Sequence, residues 1–240
     1  MLAEALKLDD IKLERPLSYT AKFSDVLREG RTDAEYYQIP YIQLSEHVKK
    51  AVQGCQPITE LCDFLKPNID PSKTPKEEYN YVELADINAR LGVIDKCESY
   101  AGEELPSRAR RVVKAGDVLA SAVVGSIDKS AAIGKHQDGY VASTGFFHLR
   151  PKVGISTEFL LMLMRSQVVQ MQLRQQATGG ILSTVPDSRV KYILVPKVEK
   201  SVQKGVAAKV KAAQKKHQES LDLLAEAKAM VERLIEAAAK

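Results

Sequence analysis

Residues 141–151 read VASTGFFHLRP. The stretch begins and ends as a β-strand would, yet Ser143, Thr144 and Gly145 interrupt it. Small polar residues forfeit packing area in a core strand, and a glycine there costs roughly 0.5–1 kcal/mol relative to alanine. Two explanations are open. Either the strand bulges for structural reasons, or another backbone or a ligand approaches closely at this point.

Working outward from this stretch, the chain from Ile58 to Pro196 consists of short apolar runs broken by turn residues. YNYVELADI (79–87) reads as a strand, and RVVKAGDVLASAVVG (111–125) as two short strands around an Ala115-Gly116-Asp117 turn. KPNIDPSKTPKEE (66–78), with Pro67, Pro71 and Pro75, is an irregular loop. ITELCDFLK (58–66) suggests one or two helical turns, and RVKYILVPKV (189–198) a last strand. Between them, Thr157 is an expected N-cap and Glu158 suits the positive end of a helix dipole. Leu161, Met164, Val168 and Met171 then recur at helical spacing until Gly179 and Gly180 stop the helix. On the N-terminal side, an evenly charged preamble carries Tyr36, Tyr37 and Tyr41 and runs into a short helix, YIQLSEHVKKAVQG (41–54), closed by Gly54.

After Pro196 the character changes. Residues 198–240 contain no proline, and their only glycine is Gly205. Val206, Val210, Ala213, His217, Ser220, Leu224, Ala227, Val231, Leu234 and Ala238 alternate at spacings of four and three, a heptad seam. Fully helical, the segment would be about 64 Å long at 1.5 Å per residue. Such a helix cannot bury its seam against one small domain, and the chain holds no second long helix. Its partner helix is expected from another chain, with His217 and Ser220 as polar register-setters.

Composition narrows the function. A chain of 240 residues with 45% hydrophobic content can build a substantial core, and a net charge of +4 permits a polyanionic partner without demanding one. Cys55, Cys62 and Cys97 are odd in number with no CxxC spacing, which suits packing residues in a reducing compartment. His47, His136, His148 and His217 are scattered, so no metal site is expected. MLAEALKLDD lacks a signal-peptide pattern, and FLLMLM (159–164) is too short to cross a membrane. The expectation is a soluble, cytoplasmic protein. Phosphate-loop, nucleophile-elbow, HExxH and GxGxxG patterns are all missing, and Glu83, Asp86, Asp95 and Glu98 read as solvated strand ends. The chain reads as a non-enzyme that binds no cofactor.

What remains is basic clustering. Arg108, Arg110, Arg111 and Lys114 fall within seven residues, and Arg189, Lys191, Lys197, Lys200, Lys204, Lys209, Lys211, Lys215 and Lys216 face only Glu199. Basic side chains beside loops of Ser, Thr and Gly are what phosphate contact requires, because backbone and hydroxyl donors approach closely only where side chains are small.

Four blocks in this order resemble the specificity subunits of type I restriction–modification systems. FSDVLREGRTDAEYYQIPY (23–41) is similar to the segment that precedes a target-recognition domain there, and DPSKTPKEEYNYVELADINARLGVI (70–94) to that domain's opening. VKAGDVLASAVVGS (113–126) with VASTGFFHLRP resembles its G-D-[IV]-L…S-T-x-F…L-R-P core. ATGG (177–180), Val195-Pro196, Gln203 and the long helix resemble its exit. The resemblance implies a subunit that reads one half of a bipartite duplex DNA target and docks methyltransferase (modification) subunits through its helix. Those subunits would bring S-adenosylmethionine, and a restriction/translocase subunit, where one exists, ATP. Family members commonly carry two recognition domains and two long helices; this chain has one of each. A homodimer would restore the pair and read an inverted repeat.

The expected fold is therefore α+β: an N-terminal preamble (1–40), one mixed target-recognition domain (41–197) and a long C-terminal coiled-coil helix (198–240) for dimerisation and methyltransferase docking. Phosphate anchors are expected at Lys73, Arg108, Arg110 and Arg111, and further DNA contacts at Thr74, Lys129, Lys135, Ser143, Thr144, Thr178, Gly179, Gly180, Ser183 and Thr184. The loops 126–129 and 135–136 belong to the same set. The dimer seam is expected at Val206, Val210, Ala213, His217, Leu224, Val231 and Leu234. Two alternatives stand beside this reading: a coiled-coil adaptor that binds protein rather than DNA, and the recognition part of a fused methyltransferase.

Overall fold

The computed structural model describes residues 16–51, 53–180 and 182–238; the opening MLAEALKLDD and the last two residues lie outside them. Short elements come first: helices α1 (Phe23–Glu29) and α2 (Ile39–Lys49), then strands β1 (Cys55–Pro57), β2 (Cys62–Leu65), β3 (Glu78–Val82), β4 (Ile87–Asn88), β5 (Val93–Ile94) and β6 (Glu98–Ala101). They continue with β7 (Ala109–Val112), β8 (Val118–Ser121), β9 (Ser130–Ala132), β10 (Val141–Ser143) and β11 (Phe146–Pro151). Helices α3 (Thr157–Met164) and α4 (Gln167–Gln176), strand β12 (Leu194–Pro196) and helix α5 (Lys200–Ala238) complete the chain.

Two four-stranded sheets carry the architecture, ordered β6-β3-β10-β7 and β2-β11-β8-β9. All pairings are antiparallel except β3 with β10. The interruption in VASTGFFHLRP is the corner between them: β10 ends the stretch's first half in one sheet, and β11 starts its second half in the other. The register against β7 shifts between Ala142 and Ser143, so the strand bulges as it turns. The Gly116 turn (φ 93°) makes the other crossing, from β7 to β8. The 111–125 segment thus holds the two expected strands, but they lie in different sheets rather than forming a hairpin.

The second sheet is buried on both faces. Leu119, Ala131 and Phe146 meet Val82, Val113 and Ala142 of the first sheet's side. Val118, Ala120, Phe147 and Leu149 face the helices through Phe159, Leu160, Leu163 and Met164. Double-sided burial explains why β8 and most of β11 read as unbroken apolar runs instead of alternating. A two-stranded sheet, β1 with β12, closes the domain beside α2, whose Leu44 and Val48 pack on Val168 of α4.

Several sequence expectations are corrected. The helix after residue 156 is two helices, because Ser166 interrupts it: its hydroxyl donates to the Leu163 carbonyl (2.6 Å) and accepts from the Val169 amide (3.4 Å), capping α4. The α3 cap is Ser156, which accepts from the Phe159 amide (3.2 Å), while Thr157 donates to the Gly116 carbonyl (2.7 Å). The helix stops at Gln176, ahead of the glycines. ITELCDFLK gives only a 3-10 turn (Ile58–Glu60) and then β2, since pairing with β11 overrides its helical spacing. Helix α2 starts at Ile39 and ends at Lys49, so it runs through the expected 40/41 boundary and stops short of Gly54. The last strand is only β12, preceded by a 3-10 turn over Asp187–Tyr192.

The long helix is present. At 1.5 Å per residue, its 39 residues span about 58 Å. Its first turns pack on the domain: Val206 is buried in the main core, Val202 and Val210 pack against it, and Lys211 pairs with Glu158 (3.5 Å). The start of the expected seam is thus covered by the domain itself, Val206 buried and Val210 part-buried. Beyond residue 217 the helix is exposed.

Candidate nucleic-acid interface

At the corner, a continuous series of main-chain hydrogen bonds joins three of the expected contact segments through residues 122–124. The Thr144 amide donates to the Arg108 carbonyl (2.8 Å), and the Ala122 amide to the Gly145 carbonyl (2.9 Å). The Val185 amide donates to Ala122 (2.8 Å) and the Val124 amide to Ser183 (3.0 Å). Thr178 and Thr184 exchange both of their hydrogen bonds (2.8 and 2.9 Å) around a Gly179-Gly180 turn. Lys129 joins the group from behind, its Nζ donating to the Leu84 carbonyl (2.7 Å). Leu84 in turn lies 3.4 Å from where a Cβ on Gly145 would be.

The individual side chains divide sharply. Thr144, Thr178, Gly179 and Gly180 are exposed. Ser143 is buried, and its hydroxyl accepts from the Gly145 amide (3.1 Å), so it shapes the corner and presents nothing to solvent. Ser183 donates to the carbonyls of Gly179 and Gly180 (3.2 and 3.1 Å), bracing the turn. Arg108 is more than half exposed, steered by Tyr81 (3.1 Å) and Glu83 (2.6 Å), which hold its guanidinium above its ordinary pKa.

Other expected contacts are elsewhere. Arg111 is buried, because strand alternation on β7 turns Ala109 and Arg111 inward and Arg110 and Val112 outward. Its Nη1 donates to the Leu65 carbonyl (2.5 Å), its Nε is unpartnered, and burial pulls its pKa down. A phosphate cannot reach it. Arg110 is paired with Asp70 (2.5 Å). Lys73 and Thr74 sit at the far end of β3, where Thr74 bonds to Tyr79 (2.5 Å) and a Cβ on Gly102 would collide with the Thr74 and Pro71 carbonyls. Lys135, exposed in the β9–β10 connection, lies at the Gly116 end of the sandwich, away from the corner.

Next to the Thr178–Thr184 hairpin opens a cleft of about 590 Å³, walled by Gly30–Asp33 on one side and Thr178, Gly179 and Ser183 on the other. Arg174 and Arg189 stand in it. Arg174 was missed from sequence; its only signal was a lone cation on the polar face of α4 just before a glycine turn. Arg31 and its neighbours were missed because the preamble reads as a detached segment.

The motif letters have a structural cause as well. Asp117, buried at the start of β8, accepts from Arg150 Nε and Nη2 (2.8 Å each), from the Lys114 amide (2.9 Å) and lies 2.6 Å from His148 Nε2. Burial alone would raise its pKa, but the His148 and Arg150 hydrogen bonds outweigh it and hold the carboxyl at about 2. The Asp of G-D-V-L and the Arg of L-R-P are thus partners across β8 and β11. Among the described residues no metal-binding cluster is found. Burial pushes the Cys62 thiol up to about 12, in keeping with a packing role.

No family model matches the sequence, and no curated protein does. Solved structures do. One is a chain from a structure describing complex assembly and conformational transition of the type I R-M system, with a TM-score of 0.58 and 30% identity over 77% of this chain and 47% of that one. Another is the HsdS subunit from Thermoanaerobacter tengcongensis, with a TM-score of 0.57 and 30% identity over 75% of this chain and 46% of that one. The chain spans about half the length of these neighbours. The mixed sheets and the long C-terminal helix are those of the matched structures, and the chain is a structural relative of the HsdS specificity subunits of type I restriction–modification systems.

Proposed function

We propose that this chain is a non-catalytic, cytoplasmic DNA-specificity subunit that reads one half of a bipartite target and delivers methyltransferase subunits to it. The observation that carries the reading is the 30% identity to HsdS chains over three quarters of its length. The surface around the corner supports it: main-chain bonds hold Arg108, Thr144 and the Thr178–Thr184 hairpin side by side, and Lys129 is tied beside them through its Nζ. Phosphates would be met by Arg108, Arg174 and Arg189, and base edges by the 126–129 and 178–184 loops. Methyltransferase subunits and, where one exists, a restriction/translocase subunit supply the chemistry. No helix of the described residues is long and apolar enough to cross a membrane.

A second copy is the proposed partner of α5. Leu224, Val231 and Leu234 are 65%, 55% and 69% exposed and continue the heptad past the last contact with the domain. Two copies related by a twofold axis would read an inverted repeat with a fixed gap. Deleting the gene and comparing genome methylation by single-molecule sequencing tests the whole reading. Loss of one gapped, palindromic adenine-methylation motif is expected; an unchanged methylome would count against it and favour a protein-binding adaptor.

A further inference from the structure

The preamble does more than precede the domain. Arg31 is 7% exposed, although it lies in a polar stretch, Gly30-Arg31-Thr32-Asp33. Its guanidinium donates to the carbonyls of Gln176 (3.3 Å) and Ala177 (2.8 Å), the last residues before the Thr178–Thr184 hairpin. The same group is gripped by both carboxylate oxygens of Asp33 (2.7 and 2.6 Å) and lies 4.8 Å from the Tyr36 ring centroid. Tyr37 closes the loop by donating to the Arg31 carbonyl (2.7 Å), and Gln175 donates to the Tyr36 carbonyl (3.1 Å). A planar five-donor fork makes all four of these bonds, to two carbonyls and both oxygens of a carboxylate; a lysine has only three donors and no planar fork to match the carboxylate.

Helix α4 ends at Gln176, and the hairpin leaves it through an extended Ala177 and a glycine at φ 111°. The hairpin's return side is held by the Val124–Ser183 and Val185–Ala122 main-chain bonds. Arg31 holds its outgoing side, from 145 residues upstream. The Gly30–Asp33 segment also forms the opposite wall of the cleft next to the hairpin.

We propose that Arg31 is a positioning residue for sequence recognition: it buckles the preamble onto the end of α4, so that the Thr178–Thr184 hairpin and the Gly30–Asp33 segment form two fixed walls of one DNA-facing cleft. This rests on the DNA-reading proposal above. Because Asp33 neutralises it and the fold buries it, Arg31 acts through the hairpin and contacts no phosphate.

The test uses the full chain as wild type, Arg31→Ala and Arg31→Lys. Hydrogen exchange at the Thr178 and Thr184 amides should accelerate about tenfold or more in both variants, while amides of β8 and β11 stay protected. Anisotropy with a random-sequence duplex should show an unchanged salt slope, since no phosphate contact is lost, whereas losing one would lower the slope by about 0.9. Selection from a randomised duplex library should return the wild-type motif degraded at a subset of positions in both variants. Unchanged hairpin exchange would overturn the proposal, as would rescue by lysine or a reduced salt slope. If the wild type binds no duplex, the DNA-reading proposal fails by itself, and the exchange measurement still decides whether the buckle holds the hairpin.

Discussion

Two arginines three residues apart have opposite fates, and a substitution at each should show it. Arg108 is surface-exposed beside the corner, whereas Arg111 is buried with Leu65 as its carbonyl partner. Arg108→Ala should leave stability within about 1 kcal/mol, because exposed ion pairs contribute little. It should lower the salt slope of duplex binding by about 0.9, read by anisotropy across a salt titration. Arg111→Ala should instead destabilise by about 1–3 kcal/mol in urea unfolding, since the Leu65 carbonyl loses its buried donor. The buried Asp117 is the larger anchor. Asp117→Ala leaves His148 and Arg150 without their carboxylate and should cost about 3–5 kcal/mol. Its folded pKa of about 2 lies below the ordinary carboxylate value, so its contribution is fully present above that value and drains as pH falls from about 4 towards 2. The stability gap between wild type and Asp117→Ala, measured by denaturation at successive pH values, should therefore narrow below about pH 4.

At the scale of elements, interruptions carry the information. Ser143, Thr144 and Gly145 break one strand into two that serve different sheets, and Ser166 breaks one helix into two. In both cases a hydroxyl replaces a main-chain partner: Ser143 for the Gly145 amide, Ser166 for Val169 and Leu163. Ser166→Ala removes the α4 cap and should cost about 1–2 kcal/mol in thermal or urea unfolding. The helix spacing of Leu161, Met164, Val168 and Met171 was legible in sequence, but the break was not, because a serine inside a periodic run is compatible with either outcome.

For the whole molecule, α5 divides into a part that packs on the domain and a part that is exposed. Residues up to Val210 complete the domain core, and the exposed remainder presents Leu224, Val231 and Leu234. Replacing Val231 and Leu234 together with aspartate should convert a dimer to a monomer in sedimentation velocity without shifting the domain's melting transition. A dimer surviving that change would place the interface elsewhere. A heptad pattern states which residues share a helix face, not what covers them: Val206 and Val210 share that face and pack on the domain's main core.

Sequence alone determined the elements whose physics is local. The proline-rich loop, the Gly116 turn and the proline-free heptad helix follow from backbone preferences and periodicity, and the order of the four motif blocks was enough to point to the HsdS relatives. Tertiary structure decided what depends on residues far apart in the chain. It buried Arg111 by the parity of a strand, paired Asp117 with Arg150, and tied Arg31 to the end of α4. It also brought Arg108, Thr144 and Thr184 onto one hydrogen-bonded edge. A side chain's exposure is set by what packs over it, and in a sandwich with crossing strands that neighbour comes from another sheet.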